Sequence, residues 1–205
     1  MYISIINNMV YVFLLHGLGG HTSSLIPLSL FLQLMGYYNL YRIPYPVDYY
    51  DSIERSVDYV DEEISKIIDK NKEDIIIIGQ SMGGVIANNL HKKGWNIKKN
   101  IYIGSPLHGA NLLNQIESIL PSNIIKILNK KPYNILKNKP REEEPPHPYH
   151  TISMGWFNSH YDGCVYREES MLNEINHIHL PWADHRTIFA NPRLWYLVYK
   201  LLQVE

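Results

Sequence analysis

The sequence has little cysteine and no long hydrophobic run. Cys164 is the single cysteine among 205 residues, which excludes an intramolecular disulfide framework and a zinc site built from several thiolates. No segment reaches the roughly 18–20 apolar residues that a membrane-spanning helix needs. The first Lys or Arg is Arg42, so the basic flank of a secretory signal is missing. We therefore expect a soluble, cytoplasmic protein that is made without a signal peptide.

The sequence also lacks an excess of positive or of negative charge. The 19 Lys and Arg residues are balanced by 20 Asp and Glu residues, which gives a net charge of −1. Without a surplus of cations to neutralise phosphates, the chain is not expected to bind nucleic acid. Hydrophobic residues make up 45% of the chain, which indicates a folded core rather than a disordered chain. At this length we expect a single domain that spans residues 1–205.

Short β-type runs alternate with stretches that are apolar at helical spacing. Residues 75–78 are four consecutive isoleucines, typical of a strand that is covered on both faces. Residues 52–69 place isoleucine and valine at helical intervals between charges, as in an amphipathic helix. The predicted strands are 2–6, 9–15, 37–43, 74–78, 100–103, 149–154 and 175–180, and the predicted helices are 23–35, 52–69, 82–93 and 192–203. This alternation predicts an α/β fold, with a mostly parallel sheet that helices cover on both faces.

The pattern changes between residues 107 and 148. Two short apolar helices are predicted at 112–120 and 122–130, and a tract rich in Lys, Glu and Pro follows from residue 137. We interpret residues 107–148 as an insertion over one end of the sheet, acting as a cap or lid. Its apolar helices would suit an acyl-chain groove, although helices that simply bury their apolar faces against the core would show the same pattern.

A nucleophile candidate follows the isoleucine strand. Residues 79–83 read Gly-Gln-Ser-Met-Gly, a G-x-S-x-G pattern between a buried strand and a predicted helix. In this context the pattern presents a reactive serine on a sharp turn, and glycine two positions to either side avoids steric clash. The helix that follows would direct the positive end of its dipole at a developing oxyanion. We take Ser81 as the candidate nucleophile; the alternative is a glycine-containing turn in which the serine is incidental.

A glycine-rich turn follows the strand predicted at 9–15. Residues 16–20 read His-Gly-Leu-Gly-Gly, and they lack the spacing of phosphate-binding glycine loops. A backbone N–H in such a turn can face a substrate carbonyl oxygen, together with the N–H of Met82, the residue after the nucleophile. A turn without a function is the alternative. We expect His16 itself to be a buried hydrogen-bonding residue rather than a proton carrier.

An activated serine needs a base, and the base needs an orienting acid. Of the two aspartates after Ser81, Asp162 follows a predicted strand through a loop, which is the position expected for the acid. Asp184 directly precedes His185 and cannot readily face its ring. The weaker acid candidates are Glu168, Glu169 and Glu174.

Eight histidines follow Ser81, and His185 has the position that a base requires. It lies in a loop between the last predicted strand and the last predicted helix. The rival candidates are His108 and His160. His177 and His179 alternate on one strand face, but no third ligand stands at a recognisable spacing, so we expect no metal site.

Together, these segments resemble the α/β-hydrolase superfamily, and within it the small lipase and esterase branch. The matching segments are His16-Gly17-Leu18-Gly19-Gly20, Gly79-Gln80-Ser81-Met82-Gly83-Gly84, Gly104-Ser105-Pro106-Leu107-His108-Gly109-Ala110, Tyr161-Asp162-Gly163-Cys164-Val165 and Asp184-His185. They follow the family's order along nearly the whole chain. The resemblance implies Ser81 as nucleophile, Asp162 as acid and His185 as base. It also implies the backbone N–H groups of Leu18 and Met82 as the oxyanion hole.

The resemblance implies a serine hydrolase that cleaves carboxylic esters, with lipid-like esters as the favoured substrates and no cofactor. The expected partner is a small-molecule ester or lipid, with transient contact to a membrane surface. Thioesterase, amidase or acyltransferase activity on the same triad stays open, because fold alone does not decide the reaction. A catalytically silent binding protein on this scaffold is a further alternative. Gln80 stands where many lipases carry histidine, a departure that we expect to affect packing only.

Overall fold

Six strands form one sheet in the part of the chain that the structure describes. The structure is a computed structural model that describes residues 10–46, 52–109, 141–156 and 159–204. The strands are β1 (Tyr11–Leu15), β2 (Leu40–Arg42), β3 (Ile75–Gln80), β4 (Ile97–Ile103), β5 (Tyr149–Gly155) and β6 (His177–Pro181). They lie in the order β2-β1-β3-β4-β5-β6, and every neighbouring pair is parallel. The predicted parallel sheet is confirmed, whereas the strand predicted at 2–6 lies outside the described residues.

Helices separate most of these strands. The α-helices of the described residues are α1 (Ile26–Leu34), α2 (Ile53–Ser65), α3 (Met82–Asn89), α4 (Arg167–Ser170) and α5 (Pro192–Gln203), with 3₁₀ turns at Thr22–Leu25, Leu90–Lys93 and Ile188–Ala190. The four helices predicted outside the insertion are confirmed, three of them with shorter α-helical bounds. Within the described parts of the chain, no helix is long and apolar enough to cross a membrane.

The sheet separates two hydrophobic cores, because alternate residues of a strand point to opposite faces. In β3, Ile75 and Ile77 pack into the core that α2 and α3 cover. Ile76 and Ile78 pack into the core that α1 and α5 cover. The isoleucine run therefore lies inside a sheet with helices on both faces, as predicted.

The parallel arrangement brings the carboxyl ends of the strands to one edge of the sheet, called the carboxyl edge below. The glycine-rich turn 16–20 follows β1, and Ser81 follows β3. Asp162 lies in the loop after β5, and His185 lies in the loop after β6. The fold thus gathers at one edge the loops that carry every proposed catalytic residue, which is where open α/β sheets bind their ligands.

Helix α5, which follows the His185 loop, is fixed at both ends. The side chain of Asn191 caps its first turn. At its other end the buried Lys99 of β4 donates from Nζ to the carbonyl oxygen of Leu201, at 2.9 Å, and to that of Val204. Burial lowers the pKa of Lys99, and a cation at this position complements the negative end of the helix dipole. The loop that carries His185 is therefore held between β6 and a helix anchored to the sheet.

The first residue of the predicted insertion, 107–148, contacts a residue near its end. The N–H of Glu142 donates to the carbonyl oxygen of Leu107 at 2.8 Å. The carboxylate of Glu142 accepts hydrogen bonds from Asn88 at 2.9 Å and from Asn89 at 3.0 Å, both on α3. The chain therefore departs from the sheet and returns to it at one place. Residues 110–140, which include both predicted lid helices, lie outside the described residues, so the lid stays a prediction.

Candidate active site

Ser81 lies on a sharp turn between β3 and α3. Its backbone angles are φ 53° and ψ −124°, a positive-φ conformation that residues other than glycine adopt only at a cost. The N–H of Ser81 donates to the carbonyl oxygen of Ile103, at the end of β4, at 2.9 Å. A Cβ on Gly79 would lie 2.4 Å from the carbonyl oxygen of Gly83, so the turn needs glycine at position 79. Ser81 therefore has the geometry expected of a G-x-S-x-G nucleophile.

The glycine-rich turn after β1 packs against Ser81. A Cβ on Gly17 would come within 2.8 Å of the Ser81 Cβ, so a larger residue there would push the two segments apart. A Cβ on Gly83 would lie 2.5 Å from a carbonyl oxygen of the turn, which puts the start of α3 directly against it. Met82 is the first residue of α3, where backbone N–H groups have no partner inside the helix. An oxyanion hole from the N–H groups of Leu18 and Met82 requires this adjacency.

His16 is buried and fixes the shape of the turn. Its Nδ1 lies 2.9 Å from the carbonyl oxygen of Gly17, which also accepts the N–H of Gly20 at 3.0 Å. The Tyr45 ring stacks on the imidazole, with 4.3 Å between ring centroids, and its hydroxyl donates to the carbonyl oxygen of His16. Burial is the main reason that the pKa of His16 is lowered, so the ring is neutral near neutral pH. The expectation of a buried hydrogen-bonding residue is confirmed.

Asp162 and His185 form a hydrogen-bonded pair. His185 Nδ1 lies 2.8 Å from Asp162 Oδ2, and the backbone N–H of His185 donates to the Asp162 carbonyl oxygen at 2.9 Å. Asp162 Oδ1 accepts the N–H groups of Cys164, at 2.9 Å, and Val165, at 2.7 Å. Asp162 is only 2% exposed, so its partners compensate for the burial of a carboxylate. The carboxylate holds Nδ1 and leaves Nε2 of His185 as the nitrogen that can accept a proton.

Two contacts bring this pair next to Ser81, the candidate nucleophile. Gln80, the residue before Ser81, donates from Nε2 to the carbonyl oxygen of His185 at 3.2 Å. A Cβ on Gly104 would lie 3.0 Å from Asp162 Oδ2 and 3.3 Å from His185 Nδ1. The carbonyl oxygen of Ile103, the residue before Gly104, accepts the N–H of Ser81. The end of β4 therefore contacts all three residues of the proposed triad. Gln80 therefore contacts the base loop directly, which goes beyond the packing role expected from sequence.

Replacing Gly104 by alanine is expected to disturb the acid and the base. The φ of Gly104 is 52°, a backbone conformation that is strained for any residue with a Cβ. The added methyl group would also lie 2.5 Å from Cε of Met154. We expect kcat to fall about 100-fold, because small displacements of catalytic groups have effects of this size. The free energy of unfolding should fall by about 1–2 kcal/mol. Steady-state kinetics and thermal unfolding measure the two changes.

Gly94 provides the matched control for this variant. Its φ is 82°, and a Cβ there would meet nothing within 4 Å. Gly94→Ala therefore introduces the strain of a positive φ without a steric clash. It should lower the free energy of unfolding while kcat stays within about twofold of wild type. A Gly104→Ala protein with wild-type kcat would show that this close approach does not position the pair.

The rival acid and base candidates are held by other contacts. Asp184 accepts two backbone N–H groups of its own loop, each at 3.0 Å. His160 is exposed, and its Nδ1 lies 3.5 Å from the carboxylate of Glu168. The carboxylate of Glu169 accepts the N–H of Tyr166, the residue before α4, at 2.9 Å. The carbonyl oxygen of Glu169 accepts the N–H of His108 at 2.9 Å. These contacts tie the rivals to their own loops and to α4.

The two histidines of β6 contact hydroxyl groups of β5. His177 Nδ1 lies 2.7 Å from Oγ1 of Thr151, and its Nε2 lies 2.9 Å from Oγ of Ser153. The same Ser153 oxygen lies 2.9 Å from His179 Nδ1. Among the residues described, no group of three or more His, Cys, Asp or Glu side chains could hold a metal ion. The alternation of histidines is thus accounted for by a hydrogen-bond network between two strands.

Two partly buried histidines should make stability depend on pH in the acid range. Burial lowers the pKa of His147 and of His177 to about 4 in each case, and His147 Nε2 lies 2.9 Å from Nδ2 of Asn100. An unfolded histidine has a pKa of about 6.5, so between roughly pH 6.5 and 4 the unfolded chain binds protons that the folded chain does not. Stability is therefore fully present above this window and falls as the pH is lowered through it. Because both side chains are partly exposed to screening solvent, we expect a loss of about 1–2 kcal/mol.

Denaturant unfolding at about pH 7 and about pH 4.5 measures this loss. A double variant, His147→Asn with His177→Asn, should show a shallower pH dependence across the window. Equal pH dependence in the wild type and the double variant would contradict the assignment.

Comparison with protein families identifies the chain. The family described as PGAP1-like alpha/beta domain matches residues 48–173, which is more than half of the sequence. The chain belongs to this family. The matched range of this PGAP1-like domain includes Ser81 and Asp162, and it ends before His185. Among curated proteins, no significant match is found.

Solved structures with a similar fold include a lipase, a lipase-esterase related protein and a thioesterase. Lipase BlEst2 from Bacillus licheniformis, in its mature form, is 17% identical with a TM-score of 0.71, over 95% of this chain and 92% of that one. A lipase-esterase related protein from Clostridium acetobutylicum is 14% identical with a TM-score of 0.62, over 95% and 94% of the two chains. The RedJ thioesterase from Streptomyces coelicolor is 15% identical with a TM-score of 0.66, over 95% and 85%. The PGAP1-like domain therefore has the α/β-hydrolase fold.

Proposed function

We propose that the protein is a serine hydrolase that cleaves carboxylic esters through Ser81, Asp162 and His185. The observation that carries this proposal is the 2.8 Å contact between Asp162 and His185, beside a serine in a positive-φ turn. A nucleophile, an orienting acid and a base, in this chain order, are the parts of an acyl-transfer triad. The fold shared with a lipase supports the same class of reaction.

Ester cleavage proceeds in two half-reactions. Nε2 of His185 takes the proton of the Ser81 hydroxyl as its oxygen attacks the ester carbonyl, and Asp162 stabilises the imidazolium. The N–H groups of Leu18 and Met82 stabilise the oxyanion. His185 then gives its proton to the leaving alcohol, and an acyl-enzyme remains. Water that loses a proton to His185 attacks this acyl-enzyme, releases the acid and restores Ser81.

Lipid-like esters are the substrates that we favour. This preference rests on the apolar pattern of residues 112–128, which lie outside the described residues. It is supported by a lipase and a lipase-esterase related protein among the solved structures with this fold. A series of chromogenic esters with increasing acyl length tests the preference, since a lipid-like substrate predicts kcat/KM that rises with chain length.

Labelling with a serine-reactive fluorophosphonate tests the triad itself. We expect one covalent adduct, which peptide mass spectrometry should assign to Ser81, because this reagent needs an activated serine. The labelled protein should lose its activity in the ester series. A protein that neither reacts with the reagent nor cleaves any ester would overturn the proposal and favour a catalytically silent binding protein.

A thioesterase on the same triad is the second candidate. RedJ, which shares the fold, is a thioesterase, and the triad chemistry is the same for oxygen and sulfur esters. Matched oxygen-ester, thioester and amide substrates with one acyl group separate these activities by their kcat/KM values. Product formation that depends on an added acceptor alcohol would indicate an acyltransferase instead.

A further inference from the structure

Trp182 combines a strained backbone with an exposed side chain. Its φ is 62°, and within the described residues only Ser81 shares a positive φ without being glycine. For a bulky side chain this conformation is an outlier, and such outliers cluster at functional sites. Trp182 is 50% exposed, so half of its surface can be reached by a ligand at this edge of the sheet.

Trp182 stands at the carboxyl edge, beside the loop of the base. It directly follows β6 and precedes His185 by three positions. Its N–H donates at 2.8 Å to the carbonyl oxygen of Gly155, the last residue of β5. Gly155 and Pro181 form the final pair of the β5–β6 ladder. The sheet therefore fixes the backbone of Trp182 next to the proposed catalytic centre.

Two of the remaining tryptophans donate hydrogen bonds from the indole nitrogen. Trp95 is 5% exposed, and its Nε1 donates to the carboxylate of Asp61 at 2.7 Å. Nε1 of Trp195 donates to the carbonyl oxygen of Phe189 at 2.7 Å. Trp156, in contrast, is 52% exposed and follows β5 at the same edge as Trp182. Half-exposed indoles thus occur where β5 and β6 end, at the edge that carries the proposed site.

We propose that Trp182 contacts the apolar acyl chain of the ester substrate and so favours longer chains. The inference rests on the proposed function, because it assumes acyl transfer at Ser81. An indole is a large and rigid apolar surface, and acyl carbons that cover its exposed half are removed from water. Glycine or asparagine would form this turn with less strain. A contact between the ring and the substrate would give a reason for a tryptophan in their place.

Variants at position 182 separate the ring from the backbone conformation. Trp182→Asn and Trp182→Gly remove the ring and relieve the strain, so Tm should rise or stay within about 3 °C of wild type. For p-nitrophenyl octanoate kcat/KM should fall about tenfold, whereas for the acetate it should change by no more than about twofold. Trp182→Phe keeps an aromatic ring and should retain most of the octanoate activity.

Tyr196 supplies the control for loss of an exposed aromatic side chain. It lies on α5 and is 57% exposed, so Tyr196→Ala should leave the octanoate-to-acetate ratio unchanged. Two results in the Trp182→Asn variant would overturn the inference: an unchanged octanoate-to-acetate ratio, including equal losses on both esters, or a Tm lowered by more than about 3 °C. Equal losses or a lowered Tm would indicate a structural role for the ring.

Fluorophosphonates with an ethyl and an octyl chain distinguish failure of this inference from failure of the proposed function. We expect both reagents to label Ser81 of the wild type, and Trp182→Asn to slow the octyl reagent alone. If the variant and the wild type react equally with both, the inference fails and the proposed function stands. If neither reagent labels Ser81, the proposed function fails and the inference fails with it.

Discussion

Ser81→Ala is expected to lower kcat for ester hydrolysis by a factor on the order of 10⁴–10⁶. The substitution removes the attacking oxygen and leaves the 2.8 Å contact between His185 and Asp162 in place. Oxyanion stabilisation and substrate binding alone account for the small rate that remains. Steady-state hydrolysis of the best ester measures the loss, and fluorophosphonate labelling should disappear in parallel. Ester hydrolysis at the wild-type rate would show that another residue is the nucleophile.

Stability should separate alanine from glycine at the same position. Ser81→Ala keeps a Cβ at φ 53°, so the free energy of unfolding should stay within about 0.5 kcal/mol of wild type. Ser81→Gly removes the cost of the positive φ and should raise the free energy of unfolding by about 1 kcal/mol, or Tm by about 2–4 °C. Both variants should be inactive. A fall in stability for Ser81→Gly would show that the turn is not strained at this residue.

The fold could be predicted because its signals are local and repeated. Four isoleucines in a row indicate a strand buried on both faces, and Ile75–Ile78 do alternate between two cores. The limits of strands were harder to predict. The sequence predicts β4 at 100–103, but the strand begins at Ile97, which pairs with Ile75 of β3. The buried Lys99 in this extension donates to carbonyl oxygens at the end of α5. A lysine in a strand gives no local sign of partners that lie about one hundred residues further along the chain.

The pairing of the candidate acid and base was predictable to a similar extent. Chain order and loop position indicated Asp162 and His185, since both follow from which strand each loop leaves, and the two side chains are in contact. Contacts between remote residues were not predictable. The bond from Gln80 to the His185 carbonyl depends on how two loops meet. A glycine after a strand, such as Gly104, suggests a turn but not that its missing Cβ makes room for Asp162 and His185. The positive φ of Trp182 has no signal in the sequence at all.

Asp162→Asn is expected to lower kcat about 10⁴-fold with little change in the fold. The asparagine keeps the shape of the side chain, and its oxygen can still accept the N–H groups of Cys164 and Val165, which bind Asp162 Oδ1 at 2.9 and 2.7 Å. Its amide NH₂ then faces His185 Nδ1, in the place of the carboxylate oxygen at 2.8 Å. Because an NH₂ group donates, Nδ1 must accept and the ring proton moves to Nε2. A protonated Nε2 cannot take the proton of Ser81, so the base is held in the wrong tautomer.

Asp184→Asn is the matched control for the loss of charge beside the base. Asp184 directly precedes His185, but its carboxylate accepts the N–H groups of Arg186 and Thr187, each at 3.0 Å, rather than the imidazole. We expect this variant to keep kcat within about threefold of wild type. Nitrogen NMR of the His185 ring should report a proton on Nδ1 in the wild type and in Asp184→Asn, and on Nε2 in Asp162→Asn. An Asp162→Asn protein with kcat within about tenfold of wild type would mean that Asp162 does not orient the base, since loss of the orienting acid costs about 10⁴-fold in other triads.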